Sequence, residues 1–399
     1  MRVTQSTTGQ GLSSGLTWLF AIAGGAAVGN LYWAQPLLVQ MATDLGVAPA
    51  TAGLLVTVTQ IGYALGILLV VPLGDALRRD RLIPAVMASS VVGLLAAAFA
   101  PGFAMLALAL GLVGFSSVAG QLIIPLAGDL ATAAQRGRAV GTIVSGVLIG
   151  VLISRTASGL IASVWGWRAV YGVAVVITLT LLLLIARATP RLPIRAAVSY
   201  PQLIASVFTT TARIPAARWL LLIAGFTFGV FNLFWTAATF LLSSAPYGYS
   251  TAQIGLVSLV GIAGAVAAQR VGILEDRGHG TAAMGVFGLV AVVGLAITLV
   301  GPTSIWSVLV GALILNVGIQ GAGVLTQTRL LSLSADARSR LNTALVTSNF
   351  LFGATFSALA TWLWALGGWP AVASFGLAAL GLGLLTWTAT RARLNAVPS

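Results

Sequence analysis

A single arginine stands inside an otherwise uncharged run of this sequence. Arg155 lies 17 positions after Arg138, and its neighbours over residues 141–159 are Gly, Ala, Val, Leu, Ile, Ser and Thr. In a helix this spacing corresponds to a rise of about 25 Å, and an arginine within a membrane span costs about 2–3.5 kcal/mol on insertion scales. We expect Arg155 to contact an anion or a substrate, because its planar guanidinium suits such groups. A structural arginine that bonds carbonyls or reaches toward an interface is the alternative.

Amide side chains recur in the apolar runs and could bind a polar ligand by hydrogen bonds. Amides are costly in lipid, so each is expected to face a cavity or another helix. Asn30 and Trp33 share one helix face and are repeated as Asn232 and Trp235, which favours these pairs as cavity lining. An aromatic belt near the membrane surface is the alternative for the tryptophans. The predicted substrate-binding residues are Asn30, Trp33, Gln60, Tyr63, Gln121, Arg155, Asn232, Trp235, Asn316 and Gln320.

The first of these runs contains further polar residues and a proline. On a continuous helix Tyr32 and Gln35 would point away from Asn30 and Trp33, so the four residues could not line one pocket. Pro36 cannot donate a backbone hydrogen bond and crowds the carbonyl of Tyr32, which predicts a bend at that point.

A second kind of chemistry is expected in two charged loops. The segment 71–83 between two apolar runs contains Asp75 and Arg79, and a related segment at 271–280 contains Asp276 and Arg277. We expect Asp75 to hold its loop against the second half of the chain in one conformation, by hydrogen bonds or an ion pair. The predicted conformational residues are Asp75, Arg79, Asp129, Asp276 and Arg277.

Residues that could support catalysis or metal binding are scarce. The chain has seven Asp and Glu residues, one histidine and no cysteine, and no carboxylate lies in the middle of an apolar run. A polytopic membrane enzyme, the alternative from another class, would need such groups near the membrane, so no catalytic or metal site is predicted. No cofactor is expected, and coupling to a proton gradient stays open because no mid-membrane carrier is evident. The scattered arginines form no patch for nucleic acid.

Membrane-spanning helices must position these residues. Apolar residues make up 58% of the 399 and charged residues only 7%, and the mean hydropathy is +1.03. Runs of about 20 apolar residues match a hydrocarbon core of about 30 Å. An all-α membrane protein with twelve spans is predicted, at 16–39, 51–72, 82–100, 103–125, 138–163, 167–187, 218–243, 251–274, 281–300, 303–329, 340–364 and 368–390.

The distribution of polar residues predicts how the spans are arranged. Asn and Gln are absent from the third, sixth, ninth and twelfth spans, which are expected to face lipid around a polar cavity. Of the 20 arginines, 18 fall at one end of the spans, so both termini are expected to be cytoplasmic. The predicted division is a tail at 1–15, a six-helix bundle at 16–187, a cytoplasmic linker with a short interfacial helix at 188–217, a second bundle at 218–390 and a tail at 391–399.

The two predicted bundles are related by an internal repeat. Asn30-Leu-Tyr-Trp33 is repeated as Asn232-Leu-Phe-Trp235, and Gly166-Trp167 as Gly368-Trp369, both at an offset of 202 residues. Arg136-Gly-Arg138 recurs as Arg338-Ser-Arg340 at the same offset. Transporters are commonly built from such repeats, with the substrate site between them. The repeat therefore predicts two pseudo-symmetric six-helix bundles.

With these features the sequence resembles the major facilitator superfamily. The segment 71–83 is similar to the cytoplasmic signature Gly-x-Leu-Ala-Asp-Arg-x-Gly-Arg-Arg of that family, with Leu73, Asp75 and Arg79 in matching positions. The second copy matches through Gly272, Leu274, Asp276 and Arg277. Asn-Leu-Tyr-Trp-Ala-Gln-Pro-Leu-Leu38 further resembles the bacterial efflux branch of arabinose-efflux and drug-resistance permeases.

The resemblance implies a fold and a function. The expected protein is a monomeric antiporter of the bacterial inner membrane that exports a small organic molecule, such as a drug-like compound, sugar or metabolite, by alternating access. Its expected partners are that substrate and the lipid bilayer. Uptake or exchange of an organic anion is the alternative within transport.

Overall fold

A computed structural model describes residues 11–190, 199–277 and 279–395. Within these ranges it contains fifteen α-helices and no strand. They are α1 (Ser14–Gly29), α2 (Leu38–Leu45), α3 (Pro49–Leu69), α4 (Leu73–Ala76), α5 (Arg79–Ala98), α6 (Phe103–Ser116), α7 (Ala119–Leu130), α8 (Ala133–Ala188), α9 (Tyr200–Arg213), α10 (Pro215–Ser243), α11 (Thr251–Val257), α12 (Gly261–Asp276), α13 (Gly280–Val300), α14 (Ile305–Ser332) and α15 (Arg338–Asn395).

These helices form twelve membrane spans in the described part of the chain. Eight continuous helical segments are long and apolar enough to cross a membrane. Two of them, α8 and α15, each contain two spans, because the chain reverses at Gly166 (φ 77°) and at Gly368 (φ 60°). Only glycine adopts such positive φ values readily, which explains why both positions of the repeat carry it. The remaining two spans are each built from two shorter helices, α1 with α2 and α11 with α12.

The first span is interrupted where a bend was predicted. Helix α1 ends at Gly29, and a 3₁₀ turn follows at Gln35–Leu37 before α2 begins. In the intervening residues the amides of Leu31 and Tyr32 bond carbonyls three positions back, at 3.1 and 2.9 Å. The interruption agrees with Pro36, which removes one backbone donor.

Close glycine contacts fix the helix that carries Arg155 against the first span. Gly146 and Gly150 of α8 lie against the backbones of Ala21 and Gly25 in α1, so closely that a Cβ atom on Gly25, Gly146 or Gly150 would clash. Small residues permit this approach in membranes. The opposite side of α8, which carries Leu148, Val151, Leu152 and Arg155, faces a central cavity.

The first half of the chain (residues 11–190) meets the second half (residues 199–395) closely at one end of the spans. We call the end that carries Arg79, Arg136 and Arg338 the arginine-rich face, and the other end the opposite face. Near the opposite face Thr156 donates to the carbonyl of Gly255 at 3.2 Å, and Thr239 donates to that of Gln35 at 2.9 Å. These contacts between halves cover the central cavity on that side.

Helix α9 lies in the segment where a short interfacial helix was predicted. Its Tyr200 hydroxyl donates to the carbonyl of Leu69 at 2.6 Å, while Phe208 is exposed. Residues 1–10, 191–198 and 396–399 of the predicted tails and linker lie outside the described residues. The domain boundaries and the cytoplasmic side of the linker stay predictions.

Candidate functional site

A cavity of about 340 Å³ lies between the two halves. Arg155 borders its inner end, and the lining extends to Val144, Gln327 and Leu345, close to the arginine-rich face. Uncharged polar side chains in the lining come from both halves; they are Tyr32, Tyr63, Gln121, Thr227, Asn316, Gln320, Gln327 and Asn349. The position between two repeats is the one that transporters use for substrates.

Arg155 is held among three aromatic rings. Its guanidinium carbon lies 4.7 Å from the ring centroid of Tyr32, 5.1 Å from that of Phe231 and 4.8 Å from that of Trp235. These distances are in the range of cation–π attraction. The side chain is only 2% exposed, and within the described part of the chain its Nε and Nη2 atoms have no hydrogen-bond partner. Arg155 is therefore a buried cation with two donor nitrogens that a ligand could use.

A small gap of about 10 Å³ lies on the side of Arg155 toward the opposite face. Gln35 from the first half and Trp235 from the second half line it together with Arg155. Both polar atoms of the Gln35 amide and the Nε1 atom of Trp235 lack partners among the described residues. Unpaired polar groups cluster here, although such groups are normally bonded in protein interiors.

Five of the ten predicted binding residues line the central cavity: Tyr63, Gln121, Arg155, Asn316 and Gln320. The Gln121 amide donates to the Tyr63 hydroxyl at 3.4 Å, and the Tyr63 ring packs against Phe350 of the second half with centroids 4.3 Å apart. Asn316 donates to the carbonyl of Ala312 at 2.7 Å, so its carbonyl oxygen points elsewhere. These residues form a wall of rings and amides on the side of Arg155 toward the arginine-rich face.

Two further predicted residues join the halves instead of lining the cavity. The Gln60 amide donates to the side-chain oxygen of Asn232 at 2.8 Å, and both residues are fully buried. The Asn232 amide nitrogen in turn donates to the carbonyl of Phe228 at 3.1 Å. We call Gln60 and Asn232 the amide clasp. It ties the second span to the seventh.

The structure places Asn30 and Trp33, which the sequence interpretation favoured as cavity lining, outside the residues that line the cavity. The Trp33 indole donates to Asn30 at 2.8 Å, and Asn30 lies 3.5 Å from the Thr178 hydroxyl, all within the first half. Tyr32 and Gln35 face the cavity and the gap in their place. The prediction assumed a continuous helix, whereas the backbone leaves helical geometry after Gly29 and rotates the following side chains. The bend predicted from Pro36 was the signal for this change, but it was not applied to the directions of the side chains.

The loop at 71–83 is organised by Arg79, which is 7% exposed. Its guanidinium donates to the carbonyl of Gly74 at 2.8 Å and forms ion pairs with Asp75 at 2.9 Å and Asp129 at 2.8 Å. These three predicted residues are therefore brought together in the first half. In the related segment Arg277 is exposed, and the side chain of Asp276 lies outside those described.

Arg168, the other arginine away from the arginine-rich face, has a structural environment. Its guanidinium carbon lies 4.2 Å from the ring of Trp167 and its Nη2 donates to the carbonyl of Ala100 at 3.1 Å. Asp44 accepts from the Trp167 indole at 2.9 Å and lies 3.9 Å from Arg168. Arg168 thus has an acidic neighbour, in contrast to Arg155.

The chain is similar to known membrane transporters. A family model described as the Major Facilitator Superfamily matches residues 19–357. A putative uncharacterized transporter of Escherichia coli K12, YgaY, is 39% identical over 378 residues, which cover 94% of this chain and 95% of the relative. The probable transporter SCO4007 of Streptomyces coelicolor is 32% identical over 386 residues, covering 94% and 86%. The crystal structure of the human organic anion transporter MFSD10 has a TM-score of 0.71 at 16% identity and covers 94% of this chain and 100% of that one.

Proposed function

The chain belongs to the Major Facilitator Superfamily and is a secondary transporter, not an enzyme, and we propose that it exports a small organic molecule across the bacterial inner membrane by alternating access. The predicted all-α major facilitator fold is confirmed by the family match and by the structural similarity. The observation that carries the proposal is the central cavity of about 340 Å³ between the two halves. Its volume suits a drug-like compound, a sugar or a metabolite.

The arrangement of contacts supports alternating access. The cavity lining reaches toward the arginine-rich face at Val144 and Gln327, while the amide clasp and the Thr156–Gly255 bond join the halves farther from it. Opening to the opposite face requires those contacts to break and the halves to rock about the cavity. With the arginine-rich face in the cytoplasm, as the charge bias favours, this conformation would load substrate from inside the cell.

The charged loops are proposed to control this exchange. Arg79 binds Asp75 and Asp129 at once, so it links the loop after the second span to the end of the fourth. A rigid connection of this kind lets the first half move as a unit. We assign Asp276 and Arg277 the corresponding role in the second half on the strength of the repeat alone.

Uptake or exchange of an organic anion is the second candidate function. The specific observation in its favour is Arg155, a buried cation that borders the cavity without a carboxylate beside it in the described part of the chain. An unpaired charge in a low-dielectric site attracts an anion strongly. The human structure with the same fold is described as an organic anion transporter.

Transport in proteoliposomes tests the proposal and separates the two candidates. Purified protein is screened for exchange of labelled anionic, neutral and cationic compounds, with and without an imposed pH gradient. If the protein is an exporter, labelled substrate supplied on the side of the arginine-rich face should accumulate on the other side of the membrane. If it is an anion exchanger, labelled acids should exchange against unlabelled acids in the absence of a pH gradient. Loss of all activity relative to empty liposomes across the screen would contradict both functions.

Orientation is tested in whole cells. The chain has no cysteine, so single cysteines placed at Ser13, Ser206 and Ser244 can be labelled by an impermeant thiol reagent. Only the Ser244 variant should react. Labelling at Ser206 would place the arginine-rich face outside the cell.

A further inference from the structure

Arg155, Gln35 and Trp235 form a cluster in which five side-chain nitrogen and oxygen atoms have no hydrogen-bond partner among the described residues. We propose that this cluster, called the acid subsite below, binds the acid group of a singly charged organic acid. The inference rests on the proposed transport function and names the substrate class for it. It adds Gln35, which the sequence did not predict as a binding residue, to the site.

The cluster is rich in donors. Arg155 offers Nε and Nη2, Trp235 offers Nε1 and the Gln35 amide offers its nitrogen, all without acceptors among the described residues. The Gln35 side-chain oxygen is the one acceptor in the same unpartnered set at the gap. A carboxylate has two oxygens and accepts from several donors at once, and an arginine binds it in a bidentate manner. The donor pattern therefore matches an acid group better than a neutral or cationic one.

The number of charged side chains at the site favours a ligand with a single negative charge. Among the described lining residues of the cavity and the gap, Arg155 is the only charged side chain. One negative charge on the ligand neutralises it, whereas a dianion would bring an uncompensated charge into a site shielded from water. A cation would meet direct repulsion. The subsite should accordingly discriminate by charge before it discriminates by shape.

The aromatic rings around Arg155 leave the Nε and Nη2 edge of its guanidinium free to bind an acid group. Tyr32, Phe231 and Trp235 contact Arg155 through their rings at 4.7–5.1 Å, and Nε and Nη2 remain unbonded. The gap of about 10 Å³ has room for about one water molecule. An acid group needs more space than this gap offers. The Arg155 side chain, which borders both the gap and the cavity, must therefore move aside so that the two spaces join and the acid group can reach Gln35 and Trp235 as well as Arg155.

The composition of the cavity wall describes the body of the substrate. The rings of Tyr63, Phe350 and Phe228 pack in sequence, with centroid distances of 4.3 and 5.0 Å. Asn316 and Gln320 supply amides on the side of the second half. An apolar or aromatic body with few hydrogen-bonding groups fits this wall, because polar atoms opposite the rings would lose their water without replacement.

Donors from both halves give the acid subsite a role in the transport cycle. Gln35 belongs to the first span and Trp235 to the seventh, and both lie next to the contacts that close the opposite face. A carboxylate that receives bonds from both would favour the closed arrangement. Its release would follow when the halves separate there.

Ligand-induced thermal stabilisation of the full-length protein in lipid nanodiscs tests the acid subsite. The probes are monocarboxylates of increasing size, namely acetate, benzoate and 1-naphthoate, together with benzamide, benzylamine and phthalate as the neutral, cationic and dianionic counterparts of benzoate. We expect at least one monocarboxylate to raise the melting temperature, and its neutral and cationic counterparts to leave it unchanged. Phthalate should bind more weakly than benzoate.

Variants separate the three members of the acid subsite. Arg155→Gln should abolish the stabilisation, and Arg155→Lys should weaken it because the planar fork is lost. Trp235→Phe keeps the ring beside Arg155 but removes the N–H, so binding should weaken about tenfold, the usual effect of one hydrogen bond to a charged group. Gln35→Leu should weaken it to a similar or smaller degree. Arg168→Gln is the matched control and should bind as the parent does.

The outcomes distinguish the subsite from the proposed function. Failure of every monocarboxylate to stabilise the parent protein, or equal stabilisation by benzoate and benzylamine, would overturn the acid subsite. So would undiminished binding in Arg155→Gln. If that same variant still exchanges a neutral compound in proteoliposomes, transport stands while the acid subsite falls. If monocarboxylates bind but no compound is transported, the acid subsite stands and the proposed transport function falls.

Discussion

The same four-residue motif occurs once in each half and serves the two halves differently. In Asn30-Leu-Tyr-Trp33 the asparagine and tryptophan bond each other at 2.8 Å and stay within the first half. In Asn232-Leu-Phe-Trp235 the asparagine accepts from Gln60 of the other half, and the tryptophan lies against Arg155. One copy stabilises its own bundle, and the other copy connects the bundles and borders the candidate site.

The difference originates in the backbone that follows each motif. Helix α10 continues through Asn232 and Trp235, whereas α1 ends at Gly29. At the offset of 202 residues, Gln35 and Pro36 correspond to Ala237 and Ala238, so the proline that disrupts helical bonding occurs only in the first copy. Equivalent side chains consequently point in different directions. A repeat in sequence thus preserves the architecture while the two copies acquire separate roles.

The largest expected effect on transport comes from Arg155, the cation that lies against the ring of Trp235. Arg155→Ala removes the only charged side chain among the described residues of the cavity lining and should lower transport about a hundredfold, as expected when one member of a buried charged pair is lost. Size-exclusion chromatography should show a folded protein, because a buried cation without an acidic neighbour contributes little to stability. Transport at the parental rate and affinity in a folded Arg155→Ala protein would make Arg155 a structural residue and remove the anion preference.

The amide clasp offers the next largest effect. Asn232→Ala leaves the Gln60 amide buried without its acceptor, which costs about 1–2 kcal/mol in the closed arrangement alone and should shift the population toward opening at the opposite face about tenfold. A cysteine at Thr239, whose hydroxyl bonds the Gln35 carbonyl across the halves, then reports the opening by its rate of labelling from outside.

Asn30→Ala in the same reporter background is the matched control. Its bonds stay within the first half, so the labelling rate should not change. Equal acceleration by both substitutions would show that the two copies of the motif are functionally alike, against the comparison above.

The loops extend the comparison from the site to the arginine-rich face. By the pairing of Asp75 with Asp276, which are 201 residues apart, Arg79 corresponds to Gly280 in the second half. The ion pairs of Arg79 therefore have no direct counterpart at that position. Asp75→Asn should reduce the transport rate about threefold to fivefold without loss of expression, since the Asp75 side chain is partly exposed and such pairs are modest in energy.

If Asp75→Asn transports at the parental rate, the charges of the loop at 71–83 serve only to orient the protein in the membrane. Asp80→Asn is a suitable control, because Asp80 forms an ion pair with the neighbouring Arg78 at 2.7 Å. That variant should retain transport.

The spans were predictable from sequence because lipid imposes a simple requirement on them. Apolar length identified all twelve, and the predicted breaks between residues 163 and 167 and between 364 and 368 coincide with the reversals at Gly166 and Gly368 inside the two longest helices. Arg155 was identified because an arginine is conspicuous among apolar residues. These features depend on local composition, which a sequence displays directly.

The partners of the site residues were not predictable in the same way. Gln60 and Asn232 are 172 positions apart, and nothing local indicates that their amides meet. Gln35 was set aside because an unbroken helix would have turned it away from the favoured face, yet it borders the gap. Contacts across the halves and side-chain directions near a broken helix depend on tertiary geometry, which periodicity does not encode.

The smallest effect is expected from the tryptophan of the first copy. Trp33→Phe removes the N–H that donates to Asn30 and keeps most of the packing, so unfolding should become easier by about 1 kcal/mol. The melting temperature in nanodiscs should fall by a few degrees, while the affinity for a stabilising monocarboxylate stays at the parental value. Trp235→Phe should give the opposite pattern, because the indole nitrogen of Trp235 has no partner among the described residues to lose on substitution. A lower affinity in Trp33→Phe would mean that the first copy also contributes to the site, and the division of roles between the two motifs would have to be abandoned.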